Sequence, residues 1–201
     1  TNILDIEKDH LEVYVMEKAN PIEERGLIKD GIHLIFPNII INNSIQHYIR
    51  SKLLERPTIL FNGLYLVNEY DNVIDKAIID HNTWQMYGSC KPNMQTYEVT
   101  HIIKYNNEKL EEVDYDASDP YFTLGLVSKL SMRKDNEKVY EIKEEKKEEI
   151  EEFIKIALPK MDSKMKNLIK DALMTTNKNL MMKVEDQDTI DLAERLVLEC
   201  L

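Results

Sequence analysis

A cation, a glycine and a histidine stand at alternate positions early in the chain, at Lys29, Gly31 and His33. If this stretch is an extended strand, all three lie on one face, with alternate side chains about 6.5–7 Å apart. A lysine supplies charge, a glycine permits close approach to the backbone, and a histidine donates a hydrogen bond. Such a row could line a triphosphate. The alternative is a loop lysine beside an ordinary histidine at a strand end.

A second stretch adds a carboxylate and a polar stripe. Asp75 follows two apolar residues, so we expect it at the end of an apolar strand. A carboxylate there is a candidate ligand for Mg²⁺ or Mn²⁺, because these ions bind through oxygen atoms of carboxylates and substrate phosphates. The alternative is a turn carboxylate that faces solvent. If residues 84–91 are also extended, one face is polar and carries Gln85, Tyr87, Ser89 and Lys91, whereas Trp84 and Met86 on the other face are expected in the core.

The elements that must position these groups are predicted to be mostly strands. Residues 1–37 have strand patterns interrupted by a loop at 19–26, and residues 43–55 have the apolar spacing of a helix that Asn43 or Ser44 could cap. Further strands are expected in three places, at 58–80 together with turns, at 84–89 and at 97–105.

The C-terminal third is predicted to be helical. Helical patterns cover about 143–157, 162–175 and 186–201. A strand-rich part followed by a helical part indicates the α+β class, and we place the boundary between two domains after residue 135. The expected domains are therefore 1–135 and 136–201.

Composition excludes few functions. The net charge of −11 is unfavourable for nucleic-acid binding, which relies on lysine and arginine, but the run from Glu141 to Glu152 alone contributes seven Glu against three Lys. A solvated helix face is the ordinary explanation for such a run. No apolar stretch is long enough to span a membrane, so no membrane partner is expected. Cys90 and Cys200 have no metal-ligand spacing, which fits a reducing compartment.

Two ordered motifs resemble motifs II and III of the archaeo-eukaryotic primase superfamily. The stretch KDGIHLIFPNI from Lys29 to Ile39 resembles motif II, and VIDKAIIDHNTWQMYGSCKP from Val73 to Pro92 resembles motif III. The pattern is most similar to the primase half of the poxvirus-type primase-helicases of nucleocytoplasmic large DNA viruses. The resemblance covers roughly residues 12–105 and implies a partial primase core, with an antiparallel sheet of the RNA-recognition type and flanking helices.

The resemblance also implies site residues. His33 matches the motif II histidine that contacts the phosphates of the incoming nucleotide, and Lys29 matches a nucleotide-binding lysine. Asp75 matches the third metal-binding carboxylate. Lys91 matches a phosphate-contacting lysine, with Ser89 beside it. Gly31 stands where many relatives have serine, so one hydrogen bond would be lost.

The motif I carboxylate pair of this superfamily has no clear counterpart. Asp5 and Glu7 fit its letters but lie closer to His33 than in relatives, so we expect motif I upstream of this sequence. The chain would then be a piece of a longer protein and inactive alone.

The implied activity is primer synthesis by template-directed nucleotidyl transfer with Mg²⁺ or Mn²⁺. The implied partners are nucleoside triphosphates, a single-stranded DNA template and a helicase domain, inside the host cell at a viral replication site in the cytoplasm. Two alternatives stay open: a non-catalytic nucleotide- or template-binding module, and an α+β interaction domain with an accidental resemblance.

Overall fold

The computed structural model describes residues 3–80, 84–106, 108–132 and 139–157. Its strands are β1 Glu12–Glu17, β2 Ile22–Glu24, β3 Leu27–Lys29, β4 His33–Ile35, β5 Glu98–Asn106 and β6 Lys109–Glu112. Its helices are α1 Asn43–Leu54, α2 Pro57–Leu60, α3 Tyr70–Val73, α4 Ala77–Asp80, α5 Pro120–Lys129 and α6 Glu144–Glu152. Within these residues, four strands form an antiparallel sheet in the order β4-β1-β5-β6, and β2 pairs with β3. The predicted α+β class is confirmed.

Strand β1 is one of the two inner strands of the sheet. Half of its six residues are β-branched or aromatic, and five of the six are buried. Tyr14 pairs with Ile35 of β4 on one side and with Ile102 of β5 on the other. Met16 pairs with His33. Because paired residues in an antiparallel sheet project to the same face, His33 lies on the same face as Tyr14 and Met16.

One face of the sheet is covered by helices, and we call it the helix face. Helix α1 begins after Asn42, whose side-chain oxygen accepts a hydrogen bond from the backbone N–H of Ile45 at 3.0 Å. The cap is therefore Asn42, and the prediction of Asn43 or Ser44 was wrong. The helix face buries Val13, Val15 and Ile103 of the sheet against Ile45 and Tyr48 of α1 and Ile150 of α6.

The opposite face is covered by α5 and by aromatic side chains, and we call it the aromatic face. The strands contribute Tyr14, Met16, His33, Ile35 and Ile102 to it. Its cover consists of Leu126 and Leu130, at the end of α5, together with Trp84, Tyr87 and Tyr97. The sheet thus separates a mainly aliphatic core on the helix face from a cluster of aromatic side chains on the aromatic face.

A buried carboxylate ties α5 to the sheet on the aromatic face. Glu12 is only 4% exposed, and its oxygens accept hydrogen bonds from Lys104 at 2.8 Å and from Lys129 of α5 at 2.6 Å. Burial alone would raise the pKa of Glu12, but the two ammonium groups outweigh it and lower that pKa. The pairing supports a charged Glu12 inside the fold, because a buried charge needs partners.

Several stretches differ from the secondary structure predicted from sequence. The expected loop at 19–26 contains the first strand of the β2–β3 hairpin, whose turn places Arg25 at φ 54° and Gly26 at φ 75°. The expected strands at 58–80 are instead the short helices α2, α3 and α4. Proline at the start of α2 favours this outcome, since its fixed φ suits the first helical position. Strand β6 was not predicted.

The predicted strand at 84–89 is wrong. Gly88 has φ 79°, and the N–H of Ser89 donates to the carbonyl of Met86 at 2.9 Å. This turn breaks the alternation on which the prediction rested. Met86 is 63% exposed and not in the core, whereas Trp84 is half-buried on the aromatic face.

The C-terminal helical prediction is confirmed where the structure describes it. Helix α6 continues into a π-helical turn at Phe153–Ala157, close to the expected 143–157. The helices expected at 162–175 and 186–201 lie outside the described residues. The boundary between 1–135 and 136–201 stays a prediction. None of the described helices is long and apolar enough to cross a membrane.

Candidate functional site

His33 lies at the centre of a group of aromatic rings. It is the first residue of β4, and its pairing with Met16 places it on the aromatic face. Its ring stacks on Tyr97, with centroids 3.8 Å apart and planes inclined by 15°. Trp84 meets it edge-on, with centroids 5.0 Å apart and planes at 84°. Two aromatic neighbours therefore fix the plane of the imidazole.

The environment of His33 keeps its imidazole neutral. Burial lowers its pKa from 6.5 to about 4, and the positive charge of Lys18 acts in the same direction, while the carboxylate of Asp75 opposes both. A neutral imidazole at neutral pH has one N–H donor and one acceptor nitrogen. The ring can therefore donate a hydrogen bond to a phosphate without itself carrying charge.

Gly31 makes room for the hydroxyl of Tyr97. A Cβ atom at position 31 would lie 3.1 Å from the Tyr97 oxygen, which is tighter than ordinary contacts. The backbone N–H of Gly31 donates to Oδ1 of Asp30 at 2.8 Å. Burial raises the pKa of Tyr97, and the Asp30 charge raises it further. A side chain at position 31 would therefore press on the ring that holds His33.

Asp75 does not end a strand, as the sequence suggested, but follows the short helix α3. Its Oδ1 accepts a hydrogen bond from the N–H of Ala77 at 2.8 Å, and the residue is exposed. The preceding backbone is held by Arg50 of α1, whose Nε donates to the carbonyl of Ile74 at 2.7 Å. The same guanidinium donates to the carbonyl of Asp71 at 2.6 Å. A buried arginine thus places the carboxylate whose charge acts on His33.

The structure does not gather every residue named from the sequence. Lys29 belongs to the β2–β3 hairpin and is exposed, so the single strand that would align it with Gly31 and His33 is broken between 30 and 32. Ser89 donates its hydroxyl to the carbonyl of Met86 at 2.6 Å, and Lys91 is exposed in the following turn. Their roles in nucleotide binding stay predictions.

Two residues of this group were not found from the sequence. The ammonium of Lys18 lies 4.9 Å from the centre of the Tyr97 ring, whose plane stacks on His33. Tyr97 itself comes just before β5. The sequence contained part of the information needed to identify Lys18, because this residue follows the predicted strand that corresponds to β1. Finding it required the pairing of Met16 with His33, which no local pattern reveals.

Oxygen ligands near His33 fit a hard divalent cation only in part. Asp75 and Asp30 have the carboxylate oxygens that Mg²⁺ and Mn²⁺ prefer, but such ions need about six oxygen ligands. Within the described residues, the one group of three possible metal-ligating side chains is at the other end of the sheet, and it consists of Glu7, Asp9 and His10. The site at His33 could therefore hold a metal only together with phosphate or water oxygens.

Asp5 and Glu7 do not lie at the His33 site. Both precede the start of β1, whereas His33 pairs with Met16 near its end. Met16 comes four positions after Glu12 in β1, so the two residues are about 13 Å apart along the strand. The backbone N–H of Asp5 donates instead to the carbonyl of Glu141. This geometry supports the expectation that the Asp5–Glu7 stretch is not the carboxylate pair of this site.

A second histidine is buried in α1. His47 is only 5% exposed. Its Nε2 lies 2.9 Å from both oxygens of Asp80, at the end of α4. The pair holds α4 against α1 and has no geometric link to His33.

Comparison with known proteins identifies relatives of this chain. Residues 1–103 match the family model described as the C962R protein N-terminal AEP domain. A protein of Acanthamoeba polyphaga mimivirus named "Putative helicase L207/L206" is 31% identical over 109 residues, which are 52% of this chain and 11% of that protein. "Putative helicase 184R" of Invertebrate iridescent virus 6 is 26% identical over 105 residues, 47% of this chain and 10% of that protein.

The chain thus spans about a tenth of the length of these viral relatives. A third match, "Dynein heavy chain-like protein 2" of Plasmodium falciparum, is 34% identical over 94 residues, which are 46% of this chain but 2% of that protein. Such a small share of a protein does not carry its name over to this chain. No solved structure matches.

Proposed function

The chain belongs to the family of C962R-type N-terminal archaeo-eukaryotic primase domains, and from that premise we propose that it contains the nucleotide site of a primase. The activity would be template-directed nucleotidyl transfer, in which a primer is made on a single-stranded DNA template. The two viral relatives are named as helicases, and this supports a primase-helicase as the full-length protein. A helicase part is therefore a proposed partner within one chain.

The observation that carries this proposal is the environment of His33. Two features of a phosphate site meet there, namely a neutral N–H donor and the positive charge of Lys18. Asp75 adds a carboxylate close enough for its charge to act on the imidazole. These groups come from segments far apart in sequence, and they meet on the face opposite the aliphatic core.

Each residue would have a distinct task. His33 would donate its N–H to a phosphate oxygen, in an orientation fixed by the rings of Tyr97 and Trp84. Gly31 would leave room for the Tyr97 hydroxyl, so that the tyrosine ring can stack on His33. Asp75 would hold Mg²⁺ or Mn²⁺, with Asp30 as a second oxygen donor. The ion, when bound, would activate the primer hydroxyl and neutralise the charge that develops on the transferred phosphate.

Binding of a fluorescent nucleoside triphosphate with Mn²⁺ tests this function. We expect His33→Ala and Asp75→Asn each to weaken binding at least about tenfold, because each removes a hydrogen bond or charge directed at the ligand. His10→Ala and Asp114→Asn are matched controls, since they remove the same groups at other places on the surface. Equal affinity in all four variants, each shown to be folded by near-ultraviolet circular dichroism, would contradict the proposal.

A non-catalytic binding module is the second candidate function. It is favoured by the small number of described carboxylates near His33, since two-metal nucleotidyl transfer needs several. Primer synthesis on single-stranded DNA with Mn²⁺ separates the two candidates. Synthesis that Asp75→Asn abolishes supports the primase, and triphosphate binding without synthesis supports the module. Synthesis abolished by Asp5→Ala would instead show that the Asp5–Glu7 stretch is the missing carboxylate pair.

A further inference from the structure

We propose that Lys18 is the cation that binds the phosphates of the nucleotide beside His33, and that the ring of Tyr97 holds it in place. This inference rests on the proposed function, because it names a further binding residue of the same site. It also changes the assignment made from sequence, which gave the cationic role to Lys29 and Lys91.

Lys18 lies beside the His33 group. Lys18 directly follows β1, at the end of the strand where Met16 pairs with His33. Its ammonium lies 4.9 Å from the centre of the Tyr97 ring, and that ring stacks on His33 at 3.8 Å. Lys18 and His33 therefore both contact the ring of Tyr97.

The ammonium of Lys18 is available to bind an anion. Lys18 is half-buried, and within the described residues its ammonium has no carboxylate partner. By contrast, the lysines Lys104 and Lys129 on the same face of the sheet are both paired with Glu12. A charge that is partly withdrawn from water and lacks a counter-ion favours binding of an anion.

The charge of Lys18 also acts on His33, the proposed hydrogen-bond donor to phosphate. The charge of Lys18 is the largest charge effect on His33, and it lowers the pKa of that histidine. This effect agrees with the contact geometry, in which Lys18 and His33 both lie against the ring of Tyr97. Lys29 and Lys91, which are exposed, do not act on His33 in this way.

The ring of Tyr97 has a positioning role in this arrangement. Its face attracts the ammonium, and its hydroxyl fills the space left by Gly31. A phenylalanine at this position keeps the face and loses the hydroxyl, whereas a leucine loses both. The ring and not the hydroxyl should therefore determine the placement of Lys18.

The test uses the full chain, Mn²⁺ and a fluorescent nucleoside triphosphate. We expect Lys18→Met to weaken binding about tenfold or more, since a charge-assisted contact to phosphate is lost. Lys8→Met is the matched control, because the ammonium of Lys8 lies 5.2 Å from the ring of Tyr105, outside the His33 group. Unchanged affinity in Lys18→Met, while His33→Ala still weakens binding, would overturn this inference and leave the proposed function standing.

Two further measurements distinguish the role of the Tyr97 ring from that of the Lys18 charge. Tyr97→Phe should keep most of the affinity, and Tyr97→Leu should lose about as much as Lys18→Met. The pKa of His33, followed by its ring C–H resonances, should rise in Lys18→Met and stay unchanged in Lys8→Met. A pKa that does not move in Lys18→Met would contradict the geometry itself. Absence of any triphosphate binding by the unaltered chain would refute the proposed function and this inference together.

Discussion

The two faces of the central sheet differ in what their side chains can do. On the helix face, Val15 and Ile103 are fully buried among aliphatic groups and the ring of Tyr48. On the aromatic face, His33 is only half-buried and is surrounded by rings, a lysine and the charge of a carboxylate. Successive residues of one strand therefore lie in different environments, because they point to opposite faces of the sheet.

This difference shows how one strand can combine stability with binding. Alternation places Leu34 against the aliphatic core and His33 against the rings, so the two sets of contacts are independent. Polar groups that would be unfavourable in the core can be partly buried where ring faces and a charged partner surround them. Substitutions on the two faces should therefore separate loss of stability from loss of binding.

The largest effect is expected from Ile103→Ala on the helix face. Ile103 is 0% exposed, and its truncation leaves a cavity in a well-packed core. We expect the free energy of unfolding to fall by about 2–5 kcal/mol, as measured by urea denaturation. The folded fraction should bind triphosphate with unaltered affinity. A specific loss of affinity with little loss of stability would remove the distinction between the faces.

Arg50→Met tests the link between α1 and the aromatic face. Arg50 is 2% exposed, and it holds the backbone before Asp75 through the carbonyls of Ile74 and Asp71. Loss of these bonds should cost about 2–3 kcal/mol in urea denaturation, because they involve a charged donor. Triphosphate affinity should also fall, since Asp75 loses its support. Arg50→Lys should restore neither property, because an ammonium lacks the planar fork.

His33 should make stability depend on pH. Its pKa is about 4 in the folded chain and 6.5 ordinarily, so the unfolded chain binds more protons between these values. The free energy of unfolding should therefore fall as the pH drops from about 6.5 to 4, by about 2 kcal/mol once solvent screening is allowed for.

The measurement is urea denaturation of the chain and of His33→Gln at several pH values. The difference between the two free energies of unfolding should change across this window and stay constant above pH 7. A constant difference throughout would show that His33 is not shielded from water by Tyr97 and Trp84.

The smallest effects are expected at the two helix caps, one on each face. Asn42 caps α1, and Asp119 caps α5 by accepting from the N–H of Tyr121 at 2.9 Å. Asn42→Ala and Asp119→Ala should each lower the free energy of unfolding by about 1 kcal/mol in thermal or urea denaturation. Neither should alter triphosphate affinity. A large loss of affinity in Asp119→Ala would extend the binding site onto α5.

The local alternation of apolar residues was sufficient to predict β4. It was not sufficient to predict how Lys29 is placed relative to His33. The alternation that places His33 on one face places Ile32, Leu34 and Phe36 on the other, and all three pack against the helix-face core. The same alternation could not be continued to Lys29, because β3 and β4 belong to different sheets and residues 30–32 belong to neither strand. A strand pattern says which residues alternate, but it does not say where the strand begins.

The contacts that build the candidate site were beyond local patterns. Lys18, Tyr97 and Asp75 meet around His33 through strand pairing and through the Arg50 contacts, all of which join distant parts of the sequence. The contact of His47 with Asp80 is likewise beyond local patterns, because Asp80 lies on another helix. Resemblance to the primase superfamily supplied His33 and Asp75 where periodicity alone could not.

The most direct test of the account is a nuclear magnetic resonance titration of the histidine ring protons with a nucleoside triphosphate and Mg²⁺. We predict that the His33 resonances shift and saturate, while those of His10, His47 and His101 stay in place. His101 is the sharpest control, since it is buried on the helix face and is hydrogen-bonded to Glu112. Equal shifts of these four of the five histidines, or a shift of His101 without His33, would contradict a nucleotide site on the aromatic face.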